Sequence, residues 1–432
     1  MIIFMFFLIC SPDLNLEWQN TGELTGAVRV SDIALGLNGY LYAGGQGNPN
    51  PGSGDSGWVY VSQDLWNWQL GGNLPGNQDG VYCLFNGAGD TLYAGTGMWG
   101  DLPLVFKSGD GGQNWTALSN YGTYRPGSRV TTFIEDRQGI FHLGNNYMGM
   151  SAAIPRRSTD RGASWLVDSG TITYNSTHYC LQQSADNTLY FGSWGSGGGV
   201  HRSYDNGATW SPAAGMPGVS DCYTIIEVGA DTIFAGVDSS NAGKVFKSVD
   251  HGDSWTQMGA GYLPTATAVR SLLYTADFNY EIFCGTTPNA EVFVSVDKGN
   301  TWSSAGTLSG ATTVYKLIEV RKTSASAESL FIYAATGPNG DVFRSLLQVI
   351  VKVDENPQAV PPDAGIRVFP NPFARAVAVP GHTNETVAVY DVRGVKVGAY
   401  RGDRIGSDLA PGIYFIELPD RGHALIKVLK IE

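Results

Sequence analysis

The sequence has few charged residues, few cysteines and no long hydrophobic run. Charged residues occupy 15% of the 432 positions, whereas an average globular protein has roughly 25%. Hydrophobic residues at 43% and aromatic residues at 12% can still bury a large core, so the low charge does not indicate disorder. Intrinsically disordered and collagen-like classes are therefore excluded.

The cysteines do not form a disulfide framework. They are five in number, which is odd, and they are widely spaced, at Cys10, Cys83, Cys180, Cys222 and Cys284. Small disulfide scaffolds usually carry an even set in a short chain, so we expect buried free thiols. The sequence also has no metal-ligand cluster, phosphate loop or nucleophile elbow. We therefore expect no metal and no cofactor.

The only apolar run covers residues 2–9 and is too short to span a bilayer, which needs about 20 residues. It is typical of the central region of a signal peptide, although a basic start and a small-residue cleavage site are missing. Leu8-Ile9-Cys10-Ser11 is a poor match to a lipoprotein site. We interpret residues 1–11 as a signal-peptide remnant and expect no transmembrane span.

The net charge of -12 is unevenly distributed. Residues 367–432 carry a net charge of +2, and residues 1–366 carry -14. Nucleic acids and anionic membranes attract clustered Lys and Arg. An acidic body argues against both partners, and we expect no nucleic-acid ligand.

A repeat of 45 to 50 residues organises the chain from residue 11 to residue 350. Its most regular part is the segment Ser-x-Asp-x-Gly-x-x-Trp, which occurs from Ser108, Ser158, Ser203, Ser248 and Ser295. A shortened version starts at Ser62. Before each segment, alternating apolar residues predict a pair of inner strands, which a glycine-rich loop and a third strand follow. After each segment, the tryptophan begins a fourth strand. Four strands per repeat of this length are typical of one β-propeller blade.

Seven such inner pairs occur, at about 28–43, 81–95, 129–144, 177–192, 222–236, 267–285 and 312–335. The last repeat lacks a fourth strand, and the segment around Trp18 has the pattern of one. We predict an all-β fold, a seven-bladed propeller over residues 12–352 that is closed by an N-terminal outer strand. Such closure removes exposed sheet edges.

The segments resemble the Asp-box, or BNR, repeats of sialidases, sortilin-type receptors, xyloglucanases and photosystem assembly factors. The resemblance implies structural roles for the box aspartates, Asp110, Asp160, Asp205, Asp250 and Asp297. Each can accept backbone N–H groups across a tight turn in which glycine adopts a left-handed conformation. The fold alone says little about activity, because propellers have many functions.

Residues 353–366 have the composition of a linker, and strands return in residues 367–432. This module resembles the C-terminal sorting domain of type IX secretion cargo. The matching segments are 368–372 (VFPNP), 390–394 (YDVRG), 409–415 (LAPGIYF) and 427–431 (KVLKI). The resemblance implies a small immunoglobulin-like β-sandwich, export from a bacterium to the medium or cell surface, and the type IX machinery as a partner.

Ligands of Asp-box propellers usually bind on the face opposite the box turns. Loops of the second to fourth repeats place six aromatic residues there, namely Trp99, Tyr121, Tyr124, Tyr147, Tyr174 and Trp194. These rings either contact a ligand or pack against their own blade. Arg29, Arg129 and Arg270 begin inner strands near Tyr82, Tyr179, Tyr223 and Tyr315. Aromatic faces suit sugar rings, so we predict a binding protein for a glycan or an extracellular protein. A neutral glycan is favoured, and the arginines leave a carboxylated sugar open.

A glycoside hydrolase is the alternative. A sialidase needs three arginines, a tyrosine nucleophile and an acid, but the family's Arg-Ile-Pro motif is absent and sialidases have six blades. A xyloglucanase-type enzyme needs paired carboxylates in a cleft between two propellers. Asp55, Asp101 and Asp238 are candidate acids without a recognisable partner, so we expect no catalysis.

Overall fold

The computed structural model describes residues 16–47, 57–72, 74–76, 78–97, 104–119, 128–146, 155–170, 177–194, 199–216, 218–229, 232–240, 242–259, 263–275, 281–323, 327–351, 376–379, 382–391, 396–410, 412–418 and 424–430. The chain divides into a large unit, Ile9–Thr323 with Glu328–Val349, and a smaller unit made mainly of Ile350–Glu432. The two units are described separately.

The described part of the large unit is formed by β-strands and one short 3-10 turn at Ala88–Asp90. The strands of the first three repeats and the N-terminus are β1 (Gln19–Glu23), β2 (Arg29–Leu35), β3 (Leu41–Gln46), β4 (Trp58–Ser62), β5 (Gln69–Leu70), β6 (Gly80–Gly87), β7 (Thr91–Gly97), β8 (Val105–Ser108), β9 (Thr116–Ala117), β10 (Arg129–Glu135), β11 (Phe141–Asn146), β12 (Arg156–Ser158), β13 (Leu166–Val167) and β14 (Ser169–Gly170).

The remaining strands of this unit are β15 (Thr177–Gln183), β16 (Leu189–Trp194), β17 (Gly199–Ser203), β18 (Thr209–Pro212), β19 (Asp221–Glu227), β20 (Ile233–Asp238), β21 (Gly243–Ser248), β22 (Thr256–Met258), β23 (Ala268–Thr275), β24 (Glu281–Thr287), β25 (Glu291–Ser295), β26 (Ser303–Thr307), β27 (Thr313–Thr323), β28 (Ala327–Gly337) and β29 (Asp341–Val351). The strand pairs whose register is defined by described residues are antiparallel, except for the short β14–β18 contact, which is parallel.

Seven antiparallel pairs recur in this part of the chain, one in each sequence repeat. They are β2–β3, β6–β7, β10–β11, β15–β16, β19–β20, β23–β24 and β27–β28. The first strand of each pair shifts register near its start and leaves one residue out of the pairing. These bulge residues are Ser31, Tyr82, Thr131, Tyr179, Tyr223, Arg270 and Tyr315. A bulge redirects a side chain, and here it does so at equivalent positions.

Close packing between consecutive repeats depends on small residues in the second strand of each pair. A Cβ added at Gly95 would lie 2.8 Å from Val130 Cγ1 of the next repeat, and one at Gly236 would lie 2.5 Å from Val269 Cγ1. Glycine therefore lets the inner strand of the following repeat approach the sheet. The hydrophobic core accordingly consists of separate clusters of buried side chains rather than one central mass.

Polar side chains also connect neighbouring inner strands. Asp32 Oδ2 accepts the amide of Leu84 at 2.8 Å, and Ser271 Oγ accepts the amide of Leu317 at 2.9 Å. These residues directly follow the bulge residues of their strands. The hydrogen bonds fix the starts of the inner strands relative to each other, which is where the candidate site lies.

The N-terminal strand β1 pairs with β29, the third strand of the last repeat. Gln19 lies opposite Arg344 and Glu23 opposite Asp341, and the sheet order is β1-β29-β28-β27. Trp18 Nε1 donates to the carbonyl of Ala305 at 3.0 Å. The first described residues of the chain are thus an outer strand of the last repeat's sheet.

The smaller unit contains one four-stranded antiparallel sheet in its described residues. Its strands are β30 (Thr386–Asp391), β31 (Lys396–Arg401), β32 (Gly412–Leu418) and β33 (Ala424–Lys430), in the order β31-β30-β32-β33. Val387, Val389, Ile416 and Val428 form its core and are fully buried. The 368–372 motif, the linker at 353–366 and residues 1–11 lie outside the described residues.

Candidate binding site at the starts of the inner strands

The strand register of the fourth repeat shows which residues lie at each end of its sheet. Leu189, the first residue of β16, pairs with Ser203, where the box turn begins. Trp194, the last residue of β16, pairs with Thr177 at the start of β15. The box turn and Trp194 therefore lie at opposite ends of the same sheet, and the arginines that begin inner strands share the end of Trp194.

A first cluster gathers at this end from the seventh, first, second and third repeats. The guanidinium carbon of Arg29 lies 5.9 Å from the ring centre of Tyr82 and 5.0 Å from that of Tyr315. Arg129 covers the same Tyr82 ring at 4.8 Å. The hydroxyl of Tyr82 donates to Asp79 Oδ1 at 3.4 Å. Two arginines, two tyrosines and one aspartate thus form the first cluster.

A second cluster comes from the fourth, fifth and sixth repeats. The guanidinium carbon of Arg270 lies 3.8 Å from the ring centre of Tyr223, and the rings of Tyr223 and Tyr179 are 4.5 Å apart. Asp221 accepts a hydrogen bond from the Ser220 hydroxyl at 2.8 Å. Each arginine here and in the first cluster is therefore held by the face of an aromatic ring.

Both clusters are only partly open to solvent, and their electrostatics reflect this. Burial raises the pKa of Asp79, and the charge of Arg129 opposes that shift only in part. Burial likewise raises the pKa of Asp221, and the charge of Asp238 adds to it. The Nε atoms of Arg29, Arg129 and Arg270 are buried and have no hydrogen-bond partner within the described ranges.

Burial disfavours the charged form of three tyrosines in the clusters. Burial raises the pKa of Tyr223 to about 12, although the charge of Arg270 opposes the shift. Burial also raises the pKa of Tyr82 and of Tyr179. Formation of a phenolate is therefore disfavoured, and these rings are suited to packing and hydrogen bonding rather than to nucleophilic attack.

The structure brings some of the predicted site residues together. Arg29 and Arg129 meet on one tyrosine, whereas Arg270 belongs to the other cluster. The side chain of Trp194 is 47% exposed, as a ligand platform requires. The candidate acids Asp55 and Asp101 lie outside the described residues. So do the other five predicted aromatics, which are Trp99, Tyr121, Tyr124, Tyr147 and Tyr174.

Sequence reasoning missed Asp79 and Asp221, two acidic residues of the site. Asp238 was expected to lack a partner, but it lies directly opposite Asp221 across the β19–β20 pair. Asp221 occupies the same position in its inner strand as Arg29 and Arg129, two residues before the bulge residue. An alignment of the seven inner strands by their bulges contains this signal. Asp79 precedes its strand and has no such signal.

The box turns have a shared hydrogen-bond pattern at the other end of the sheets. In all five, the aspartate Oδ1 accepts the hydroxyl of the serine two residues earlier and the amide four residues later. The backbone and side chain of Asn114, and the Ser108 hydroxyl, lower the pKa of Asp110 to about 2. Gly112 has a φ of 82° directly after Gly111 at 71°. The second left-handed position is glycine in all five turns, whereas the first is Arg161, Asn206, His251 or Lys298 in the other four. The turn therefore requires glycine at the second position.

Replacement of Asp205 by alanine tests the structural role of these turns. The substitution removes acceptors for Ser203 Oγ at 2.8 Å and for the Thr209 amide at 2.8 Å. We expect it to lower the free energy of unfolding by about 1 to 3 kcal/mol, measured by urea denaturation. Asp205→Asn keeps the Oδ1 acceptor and should lose about half as much. A fully stable alanine variant that no longer binds ligand would place the binding site at the box turns instead.

One groove of about 420 Å³ lies at the box end, between the hairpin turns of β6–β7 and β10–β11. Glu135 and Arg161 line it and pair at 3.6 Å. Arg129 and Glu135 are the first and last residues of β10, so the groove lies far from the arginine clusters. The described residues contain no group of three or more potential metal ligands.

No protein-family model and no curated protein matches the sequence. Solved structures resemble its fold. The xyloglucanase of family GH74 from Xanthomonas campestris is 14% identical, has a TM-score of 0.58, and the match covers 96% of this chain and 68% of that one. YCF48 bound to the D1 peptide is 15% identical with a TM-score of 0.55, over 79% of this chain and 99% of that one.

The extracellular domain of BT4673 from B. thetaiotaomicron is 13% identical with a TM-score of 0.52, over 95% of this chain and 48% of that one. These neighbours are β-propellers, and the repeated antiparallel sheets place this chain in the same fold class. They include a glycoside hydrolase, a peptide-binding protein and an extracellular domain. Among the described residues, no helix is long and apolar enough to cross a membrane.

Proposed function

We propose that the chain is a secreted or surface-held, seven-bladed Asp-box propeller that binds a glycan or an extracellular protein without catalysing a reaction. The observation that carries this proposal is the pair of arginine–tyrosine clusters at the starts of the inner strands. They combine aromatic rings with charged guanidinium groups. Such a mixture binds polar ligands with apolar faces, of which sugars are the main class.

The tyrosines favour binding over catalysis. A tyrosine nucleophile needs a lowered pKa or a base, whereas burial raises the pKa of Tyr82 and of Tyr179. Neutral hydroxyls and aromatic faces are instead what a sugar-binding surface uses. The acidic large unit disfavours polyanions, so a neutral glycan is the preferred ligand, and the arginines would add affinity for a carboxylated sugar.

A binding experiment with a glycan panel tests this assignment. The panel should contain neutral polysaccharides, uronic-acid polysaccharides and sialosides, with product release measured in parallel. We expect binding without hydrolysis. Trp194→Ala should weaken binding several-fold, which corresponds to about 0.5 to 1.5 kcal/mol for one stacked ring, and the melting temperature should not change because Trp194 is exposed.

Two further variants sharpen the result. Arg129→Ala should weaken a carboxylated ligand more than a neutral one, because only the former uses the charge. Leu70→Ala is the matched control, because this 56% exposed apolar residue lies on an outer strand. Loss of stability with intact binding in Trp194→Ala would identify the ring as a packing residue and reject the platform.

The C-terminal unit is proposed to be a type IX sorting domain with an immunoglobulin-like sandwich. The support is the order of its sequence motifs together with a separate sheet and core. Fusion of residues 353–432 to a signal peptide and a reporter should lead to export by a type IX host. Retention of the reporter in the periplasm would reject the sorting role.

A glycoside hydrolase remains the second candidate because Asp221 and Asp238 face each other across β19–β20. A carboxylate pair in which one member has a raised pKa is the arrangement that acid–base hydrolysis uses. If the panel reveals hydrolysis, Asp238→Asn should abolish it and leave binding intact. Hydrolysis that survives Asp238→Asn would exclude this pair.

A further inference from the structure

Two cysteines from neighbouring repeats lie side by side in the large unit. Cys180 follows the bulge residue of β15, and Cys222 precedes the bulge residue of β19. The nearby Cys180 thiol raises the pKa of Cys222. A Cβ added at Gly192 would be 2.8 Å from Cys180 Sγ and 2.9 Å from Cys222 Sγ. Both sulfur atoms therefore occupy the same small space beside β16.

The contact between the two cysteines follows from equivalent positions in the repeats. Among the described residues, it occurs at one boundary between two repeats. The residue before the bulge is valine in five repeats, at Val30, Val81, Val130, Val269 and Val314, and histidine at His178. Cys83 matches Cys180, but its neighbour is Val130, whose Cγ1 shares the space beside Gly95. Only the boundary of the fourth and fifth repeats places a cysteine in both positions.

We propose that Cys180 and Cys222 form a dithiol that oxidises to a disulfide and links the inner strands of the fourth and fifth repeats. The oxidant is a soluble disulfide that reacts by thiol–disulfide exchange. One cysteine thiolate attacks the oxidant, forms a mixed disulfide and releases one thiol. The second cysteine then attacks the protein sulfur of the mixed disulfide and releases the other thiol. Two electrons and two protons pass from the protein to the oxidant.

The burial of the two thiols sets the order of these steps. Cys180 is partly exposed, whereas Cys222 is fully buried. The soluble oxidant can therefore reach Cys180 first, and Cys222 completes the bond from inside. The Cys180 thiol and burial raise the pKa of Cys222 well above its usual value. The second step should accelerate as the pH rises, because the thiolate is the nucleophile.

The bond would act next to the proposed binding site. Tyr179 and Tyr223, whose rings contact each other in the second cluster, are the immediate sequence neighbours of the two cysteines. A disulfide would hold the two inner strands at a fixed separation, and thereby keep these rings in place for a ligand.

The test uses the reduced full-length chain, incubated with an excess of oxidised glutathione and then mapped by mass spectrometry under non-reducing conditions. We expect a peptide pair joined through Cys180 and Cys222, and the loss of two free thiols. The closed loop should raise the melting temperature by roughly 5 °C. Cys222→Val installs the residue of other repeats and should abolish both effects, whereas Cys83→Ser should leave them unchanged.

Other outcomes would overturn the proposal. The first is that all thiols stay free after incubation with oxidised glutathione, both at the initial pH and at a higher pH. Another is a stable glutathione adduct on Cys180 without the cross-link. A third is a cross-link that joins Cys180 to a cysteine other than Cys222.

Discussion

Deletion of residues 16–24 should destabilise the large unit by at least 5 kcal/mol, the largest effect expected for a short deletion. The segment contributes Leu16 and Leu24, which are 7% and 1% exposed. Burial of two leucines and a tryptophan is worth about 1.5 to 3 kcal/mol each. The deletion also leaves the edge of β29 unpaired from Asp341 to Arg344, so backbone groups lose their partners.

Hydrogen bonds across the closure add to this effect. Thr21 Oγ1 donates to the carbonyl of Val342 at 2.8 Å and accepts from Trp68 Nε1 at 2.9 Å. The segment thus joins the last repeat to the first through one side chain. Urea denaturation of the full chain and of the deletion gives the difference directly.

Point variants provide the matched comparison. Leu24→Ala should cost about 2 to 4 kcal/mol, whereas Glu23→Ala, whose side chain is exposed, should be almost neutral. An unchanged melting temperature of the deletion variant would mean that β1 does not stabilise the large unit.

A pH-dependent loss of stability is the second large effect, and it arises in the core of the fourth repeat. His178 and His201 are 0% and 2% exposed. The His178 ring lies 4.6 Å from Phe191, edge on, and the His201 ring stacks on the same Phe191 at 4.6 Å. In the other repeats, the position of His178 is occupied by valine or cysteine. The position of His201 is occupied by an aromatic residue in four other repeats, namely Tyr60, Phe106, Phe246 and Phe293.

The direction of this pH dependence follows from the burial of the two histidine rings. Burial lowers the pKa of His178 to about 3, and the charge of His201 adds to that shift. Burial lowers the pKa of His201 to about 4. In the unfolded chain both bind a proton near pH 6.5, whereas the folded chain keeps them neutral. Stability is therefore lost as the pH falls from about 6.5 towards these lowered values, by roughly 2 kcal/mol for each histidine at pH 5.

Other groups of the same region act in the opposite direction, so a comparison of variants is needed. Burial raises the pKa of Asp168 to about 7, although Trp210 and Arg157 oppose the shift. Asp168 therefore contributes stability that is lost as the pH rises through 7. The His178→Val and His201→Phe double variant should lose less stability than the wild type between about pH 7.5 and pH 5. Its advantage should grow by about 4 kcal/mol over this interval.

His251 provides the control for this experiment. Its half-buried ring lies outside the core and pairs with Asp186 at 3.3 Å, so His251→Phe removes a histidine without touching the Phe191 cluster. Parallel profiles of the wild type and the double variant would show that the two buried rings titrate normally, in contradiction to the account.

The repeat in the sequence was enough to predict much of the fold. The spacing of the Ser-x-Asp segments predicted strand pairs at the positions where β6–β7 and β19–β20 lie, because one supersecondary unit recurs with its turns in register. The pattern around Trp18 predicted a strand without a neighbour in sequence, and β1 pairs with β29. Local alternation and turn chemistry carry this information.

The candidate site was only partly predictable. The positions of Arg29 and Arg129 at strand starts suggested proximity, but their common partner Tyr82 depends on a bulge, which leaves no clear mark in a single sequence. The pairing of Asp221 with Asp238 depends on the β19–β20 register. The contact of Cys180 with Cys222 depends on the packing of two repeats. Such contacts are set by tertiary structure, and periodicity within one repeat does not reveal them.

Hydrogen–deuterium exchange with the panel ligand that binds most tightly tests the central claim most directly. The account predicts slower exchange at the starts of β2, β10 and β23, which contain Arg29, Arg129 and Arg270, and at the end of β16 near Trp194. It predicts no change at the box turns around Asp110 and Asp205. Protection confined to the box turns, with none at the inner-strand starts, would contradict it.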